Sequence, residues 1–205
     1  MTTARQHAEA WTPWGGQELA ANDNKRPLMI GITGKRNVGK STVADMLAAE
    51  YGFVKVHAFD GGKVAAYALF EYMTDHELAE RMVYGDLKDK PCTELPGGVS
   101  PRYFLEKFGQ FMGIDMGVDW TLGMELKRTR KKHPGKPIVV ESLIYEADWF
   151  RAAGGTILRL ERPGHVGPVV DSDAAQAGIK ADYEIHAVEV SVLEYKAREI
   201  IKVLL

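Results

Sequence analysis

Gly34-Lys35-Arg36-Asn37-Val38-Gly39-Lys40-Ser41 follows an apolar run, Leu28-Met29-Ile30-Gly31-Ile32, and opens a stretch with apolar residues at helical spacing. The pattern G-x-x-x-x-G-K-S between a strand and a helix is a phosphate-binding loop. Its backbone must fold back so that successive N–H groups converge on phosphate oxygens, and side chains at Gly34 and Gly39 would obstruct that approach. The following helix adds the positive end of its dipole. In such a loop the lysine reaches the β and γ phosphates and the hydroxyl helps to hold Mg²⁺, which assigns those roles to Lys40 and Ser41. The candidate nucleotide-binding residues are therefore Gly34, Lys35, Arg36, Asn37, Val38, Gly39, Lys40, Ser41 and Thr42, with ATP and Mg²⁺ as the expected cofactors. The other common glycine fingerprint, G-x-G-x-x-G, is not matched because Gly31 and Gly34 are wrongly spaced for it.

Outward from the loop, short apolar runs alternate with amphipathic stretches, which predicts a mainly parallel sheet flanked by helices. Leu28–Ile32 reads as the first strand and Lys40–Tyr51 as a helix, with Val43, Ala44, Leu47 and Ala48 on one face and Gly52 as its stop. Phe53–Val56 reads as the second strand. Asp60-Gly61-Gly62-Lys63 reads as a turn into a helix near Val64–Met73, and a further helix is expected over about His76–Tyr84. Gly85–Val99 contains Lys88-Asp89-Lys90-Pro91 and Pro96-Gly97-Gly98, so a long mobile connection is expected there. Ser100-Pro101 reads as the N-cap and first position of a helix running to about Met116. Pro137–Glu141 is a compact strand run, Glu146–Ala153 a short helix, and Thr156–Leu160 and Tyr183–His186 the last strands. Ser191 and Glu194 match a capping box for a final helix with Leu193, Ala197, Ile200, Ile201 and Leu204 on its apolar face. The expected fold is an α/β three-layer sandwich with a parallel five-stranded sheet, covered by residues near 85–99 or 121–136. Residues 1–26, with Trp11 and Trp14, read as an N-terminal extension, and 27–205 as the P-loop domain.

The chain has 205 residues and a formal charge of −2, so any capture of a polyanion must be local rather than global. A single cysteine, Cys92, excludes an intramolecular disulfide framework and a four-cysteine zinc site, and fits a reducing compartment. No run approaches the length of a membrane span, and no basic segment precedes an apolar one at the N-terminus. A cytoplasmic protein with no membrane partner is expected.

Several blocks beyond the loop together resemble the bacteriophage deoxynucleoside monophosphate kinases, within the wider nucleoside monophosphate kinase group. These are Gly34-Lys35 to Asp45, Phe59-Asp60-Gly61-Gly62-Lys63, Lys88-Asp89-Lys90, Ser100-Pro101-Arg102 with Gly109, and Asp119-Trp120. Arg162-Pro163-Gly164, Asp182-Tyr183-Glu184-Ile185 and the C-terminal helix complete the series, which covers about residues 27–205. The resemblance implies a P-loop NTPase fold of the nucleoside monophosphate kinase-like kind. It further implies ATP-dependent phosphorylation of a deoxynucleoside 5′-monophosphate, with small nucleotides as partners and the host cytoplasm as the location of a phage-encoded enzyme. It implies a catalytic set of Lys40, Arg102 and Asp60, and acceptor contacts from Asp60, Lys63, Lys88, Arg102 and Trp120. The chain departs from the family pattern where Glu106 and Ile114 stand in place of a glutamine and an arginine. It departs again at Glu141-Ser142-Leu143-Ile144, where the family has an Asp-x-Arg motif.

The candidate residues each carry an ordinary alternative. Asp60 either orients the acceptor or magnesium, or forms a turn before two glycines. Lys63, Lys88 and Lys90 are phosphate or lid contacts, or solvated lysines. Arg102 sits in a helix's first turn, where a cation is disfavoured unless an anion lies opposite, so an acceptor phosphate or an ion pair is expected. Glu141, ending a strand, either serves the metal through water in place of a Walker-B aspartate or acts as a cap. Arg162 is expected to flank the nucleotide base, since the loop after its strand borders the phosphate loop. The run Lys127-Arg128-Thr129-Arg130-Lys131-Lys132-His133 is a lid, a polynucleotide contact, or a soluble helix end favoured by the dipole. The alternative enzyme is a P-loop kinase acting on a hydroxyl, such as a hydroxymethylated base in DNA, with Asp60 as proton acceptor. A nucleotide-binding switch without turnover is the third reading, with a homodimer an allowed state in each. A GTPase is disfavoured by the absence of an Asn-Lys-x-Asp run.

Overall fold

A computed structural model describes residues 27–165 and 176–205, so the expected extension over 1–26 lies outside the described residues. The sheet has five parallel strands, β1 (Met29–Thr33), β2 (Val54–Val56), β3 (Ile138–Val140), β4 (Thr156–Glu161) and β5 (Tyr183–His186), in the order β2-β3-β1-β4-β5. Parallel neighbours cannot be joined by a tight turn, so each connection has to cross a face of the sheet, and the amphipathic stretches supply those crossings. Helix α1 (Lys40–Tyr51) follows β1, and the chain ends in α7 (Val190–Leu204).

The pleat of β1 sorts its residues between two layers. Ile30 and Ile32 are buried in one cluster with Val43, Ala44 and Leu47 of α1 and with Leu193, Ala197 and Ile201 of α7. Gly31 points the other way, where a Cβ would lie 2.1 Å from Leu143 Cδ1 and 2.8 Å from Phe150 Cε1. Only glycine admits the approach of Phe150, which is carried by α6 (Ala147–Ala152). Helix α5 (Met124–Lys132) reaches the same side as Gly31, since Arg130 contacts the Met29 sulfur. The expected three-layer α/β sandwich of the P-loop kind is thereby formed, with helices on both faces.

Residues Phe59–Gly123 form one compact unit, and the chain through Ala58 and from Met124 onward forms the other, which contains the sheet. The inserted unit is helical: α2 (Asp60–Met73), α3 (His76–Val83) and α4 (Pro101–Gln110), followed by π-helical turns at Phe111–Asp115 and Asp119–Gly123. Its core gathers Phe70, Ala79, Met82, Val83, Cys92 and Leu95.

Four local expectations are corrected. Asp60-Gly61-Gly62-Lys63 is not a turn but the first turn of α2, because Gly62 lies under Phe59, whose ring leaves no room for a Cβ. The 85–99 connection is tied down by buried Cys92 and Leu95 and by a hydrogen bond from Cys92 N to Val99 O at 3.2 Å. The capping box at Ser191 does not form, since Glu189 is the N-cap of α7 and no side chain caps it. The cover expected at 121–136 is replaced over Met124–Lys132 by α5, which packs against β2. Its basic end precedes β3, whereas the phosphate loop leaves the opposite end of the parallel neighbour β1. The basic run therefore lies at the wrong edge of the sheet to serve phosphates on the loop.

Candidate functional site

The phosphate loop adopts the backbone that its glycines were read to permit. Gly34 has φ 137° and Gly39 φ 99°, both outside the range that L residues favour. A Cβ on Gly34 would lie 2.3 Å from the Leu160 carbonyl oxygen, and one on Gly39 2.5 Å from Leu193 Cδ2. Asn37, at φ 61°, belongs to one of the few non-glycine types that take this conformation readily. Helix α1 begins with no side-chain cap and no acidic residue in its own first turn, so no side chain of the helix itself neutralises its positive end. Lys40 Nζ donates to the carbonyls of Gly34 at 2.6 Å and Lys35 at 2.7 Å, which holds the ammonium over the loop.

Pairing of β1 with β3 sets Gly31 beside Val140 and so carries Glu141 to the loop. Ser41 Oγ donates to Glu141 Oε1 at 2.9 Å, joining the two residues assigned to magnesium. Lys55, which no sequence motif singles out, places its ammonium 3.2 Å from Glu141 Oε2 and 2.6 Å from Asp45 Oδ1. The hydrogen bond to Asp45 is the main cause that raises the Lys55 pKa above its ordinary value, so this cation persists at neutral pH.

A cavity of about 330 Å³ opens beside the loop, with Gly34, Lys35 and Val38 on one wall and Arg162, His165 and Gln176 on others. That volume is in the range of small-molecule sites. Arg162 thus lines the same cavity as the loop. His165 Nε2 contacts the Arg36 carbonyl oxygen at 2.9 Å, tying the β4 loop to the phosphate loop. Gln176 is 7% exposed, and its Oε1 is a buried acceptor with no hydrogen-bond partner among the described residues. No local pattern marked Gln176 or His165, because both reach the site only through the packing of β4. Lys55 carried a faint signal, as a lysine between two strand valines.

The other expected residues fall within the inserted unit. Asp60 Oδ1 and Lys63 Nζ form an ion pair at 3.0 Å. Arg102 is the second residue of α4 and grips Asp89 with both Nε and Nη2, the latter at 3.0 Å. Its backbone N–H donates to the Lys88 carbonyl at 2.8 Å, which brings Lys88 to the start of α4. The ion pair supplies the anion that a first-turn arginine requires. Trp120 is half-buried in the second π-helical turn, its N–H bonded to Gly117 O at 3.2 Å.

No family model matches this chain. A protein of Acanthamoeba polyphaga mimivirus described as "Putative deoxynucleotide monophosphate kinase" is 25% identical over 158 residues, spanning 67% of this chain and 75% of its own length. Among solved structures, TT1252 from Thermus thermophilus is 16% identical, with a TM-score of 0.46 over 88% of this chain and 99% of that one. Dephospho-CoA kinase from Campylobacter jejuni is 16% identical, with a TM-score of 0.41 over 85% of this chain and 95% of that one.

Proposed function

We propose that residues 27–205 act as one kinase domain that moves the γ-phosphoryl group of ATP to a deoxynucleoside 5′-monophosphate, releasing ADP and the diphosphate. The carrying observation is the phosphate loop itself. Its glycines leave space where side chains would clash, its helix start has no side-chain cap, and Lys40 is held over it while Ser41 is bonded to Glu141. This donor set fits a magnesium–nucleotide complex, with Ser41 and Glu141 as the residues that would hold the ion. When bound, the ion would supply charge neutralisation at the phosphate oxygens. The similarity to the mimivirus protein supports a nucleotide acceptor.

The chain's own contribution is positioning and charge. The loop N–H groups and Lys40 orient the donor phosphates and offset the charge that builds on them. A monophosphate acceptor is already ionised, so no general base is needed. Arg102 offers a planar fork matched to a phosphate and would exchange Asp89 for it. Asp60, held by Lys63, would orient the acceptor rather than take a proton.

The hydroxyl-acceptor reading is kept by one observation. The family arginine positions are filled by exposed Ile114 and by a 142–144 segment whose Leu143 is packed on Gly31, so two phosphate clamps are missing. The deciding experiment offers the four deoxynucleoside monophosphates and hydroxymethylated DNA to the protein with labelled ATP. Label on a monophosphate supports the proposal, label on DNA supports the alternative, and ATP binding without transfer leaves a nucleotide-binding switch. Asp60→Asn sharpens the result: a modest loss fits a monophosphate acceptor, whereas a fall of about 10² or more fits a base acting on a hydroxyl.

A further inference from the structure

Lys55 is the central residue of β2, and its neighbours in the strand are Val54 and Val56. Its ammonium is shared between Asp45 on α1, at 2.6 Å, and Glu141 at the end of β3, at 3.2 Å. The second carboxylate oxygen of Glu141 accepts the Ser41 hydroxyl at 2.9 Å. Three separate elements thus converge to press a fixed cation against the carboxylate that would serve the metal. The Glu141 side chain is 23% exposed and that of Lys55 35%, so water screens this contact only in part.

A lysine ammonium is a compact point charge, and a divalent ion on the same carboxylate would be repelled by it. Both carboxylates bond one nitrogen, so their oxygens lie within about 6 Å of each other, near enough for one hydrated divalent ion in the place of the ammonium to meet both. Without nucleotide, Asp45 and Glu141 are balanced in formal charge by Lys55 and Lys40, which gives a dication no net attraction. The phosphates of a nucleotide change that balance.

We infer that Lys55 is a built-in counter-cation that keeps the Ser41–Glu141 site from taking a divalent ion alone, so that the ion enters together with the nucleotide phosphates. Lys55 acts through Glu141 and is a positioning residue. The inference rests on reading Ser41 and Glu141 as the metal site, and its test needs neither ATP nor turnover.

The probe is Mn²⁺, titrated into the full chain without nucleotide and followed by the electron paramagnetic resonance of the free ion. Lys55→Met, shown to be folded by circular dichroism and a thermal melt, is expected to tighten Mn²⁺ binding about tenfold or more, the factor that a charge within 4–6 Å makes in an equilibrium. Lys55→Gln is the parallel variant should methionine not fold. Lys55→Arg keeps the charge and is expected to bind Mn²⁺ as weakly as the unaltered protein. Lys55→Met combined with Asp45→Asn is expected to lose the gain. A folded Lys55→Met or Lys55→Gln that binds Mn²⁺ no better than the unaltered protein overturns the inference, as does a gain in Lys55→Arg equal to that in Lys55→Met. A charge-dependent gain in a protein that phosphorylates no acceptor upholds the counter-cation and discards only the kinase reading. Kinase activity without the gain does the reverse.

Discussion

Arg102 shows how one side chain can be both stabilised and poised. A cation in the first turn of α4 opposes the helix dipole, and Asp89 offsets that misfit with two bonds to the guanidinium. The same fork would take an acceptor phosphate, and losing it costs about 1.5–3 kcal/mol of binding. Arg102→Ala is therefore expected to raise the acceptor KM about tenfold or more with little change in KM for ATP, measured by varying each substrate in turn. An effect confined to ATP would move Arg102 to the donor side. Glu146 is a different case, a buried carboxyl at the start of α6 whose Oε2 accepts the Ile144 N–H at 2.9 Å. Burial is the larger influence and pushes its pKa above the ordinary 4.5. A folded pKa above the unfolded one means that its contribution is complete below about pH 4.5 and is lost as pH rises through the folded value. Gln at this position does not titrate. Glu146→Gln should therefore gain in melting temperature relative to the unaltered protein between pH 4 and pH 8; a difference independent of pH would show that the N–H bonds balance burial, and one that runs the other way that they outweigh it.

At the scale of elements, the two helices that begin near candidate phosphate contacts are built in opposite ways. Helix α4 uses its first donors internally: Ser100 Oγ accepts the Tyr103 N–H at 3.3 Å, and the Lys88 carbonyl accepts that of Arg102. Its guanidinium, not its helix end, is what it can offer a ligand. Helix α1 has no side-chain cap, and its positive end faces the loop. Ser100→Ala is accordingly expected to destabilise the protein by about 0.5–2 kcal/mol, the usual worth of an N-cap, as read by urea unfolding. A change of under a few tenths would mean that Pro101 at the first helical position suffices to start α4.

For the whole molecule, a ligand that binds only the folded chain must raise its stability by mass action. Mg·ATP at a hundred times its dissociation constant should add about 2.7 kcal/mol, seen as a higher melting temperature. Lys40→Ala, which removes an ammonium bonded to the loop carbonyls, should melt normally without ligand, lose that shift and fail to transfer phosphate. A full ATP shift in Lys40→Ala would sink the assignment of the donor site. The melting experiment reports on the sheet unit and the inserted unit together, so a biphasic transition would reveal that they unfold separately.

The amino-acid sequence by itself determined the phosphate loop and α1, whose observed limits Lys40 and Tyr51 coincide with those expected. Both are local: eight consecutive residues dictate the loop through the φ angles that only glycine takes freely, and Gly52, at φ 72°, ends the helix that follows. The five strands were legible for the same reason, as apolar runs separated by turn residues. What binds Glu141 to Ser41 across 100 residues of chain was decided only by the strand order, because parallel neighbours are chosen by packing between crossings and not by adjacent sequence. Local preference was overruled at Gly61-Gly62, two poor helix formers inside α2: the Phe59 ring, which packs edge-on to Phe108, leaves no room for a Cβ at Gly62. His165 and Gln176 were unmarked in the chain, and Lys55 only faintly marked, because nothing near them in sequence says what they touch. Their meaning is an electrostatic or hydrogen-bonding relation to distant groups, and such relations exist only once β2, β3 and β4 lie where the folded sheet puts them.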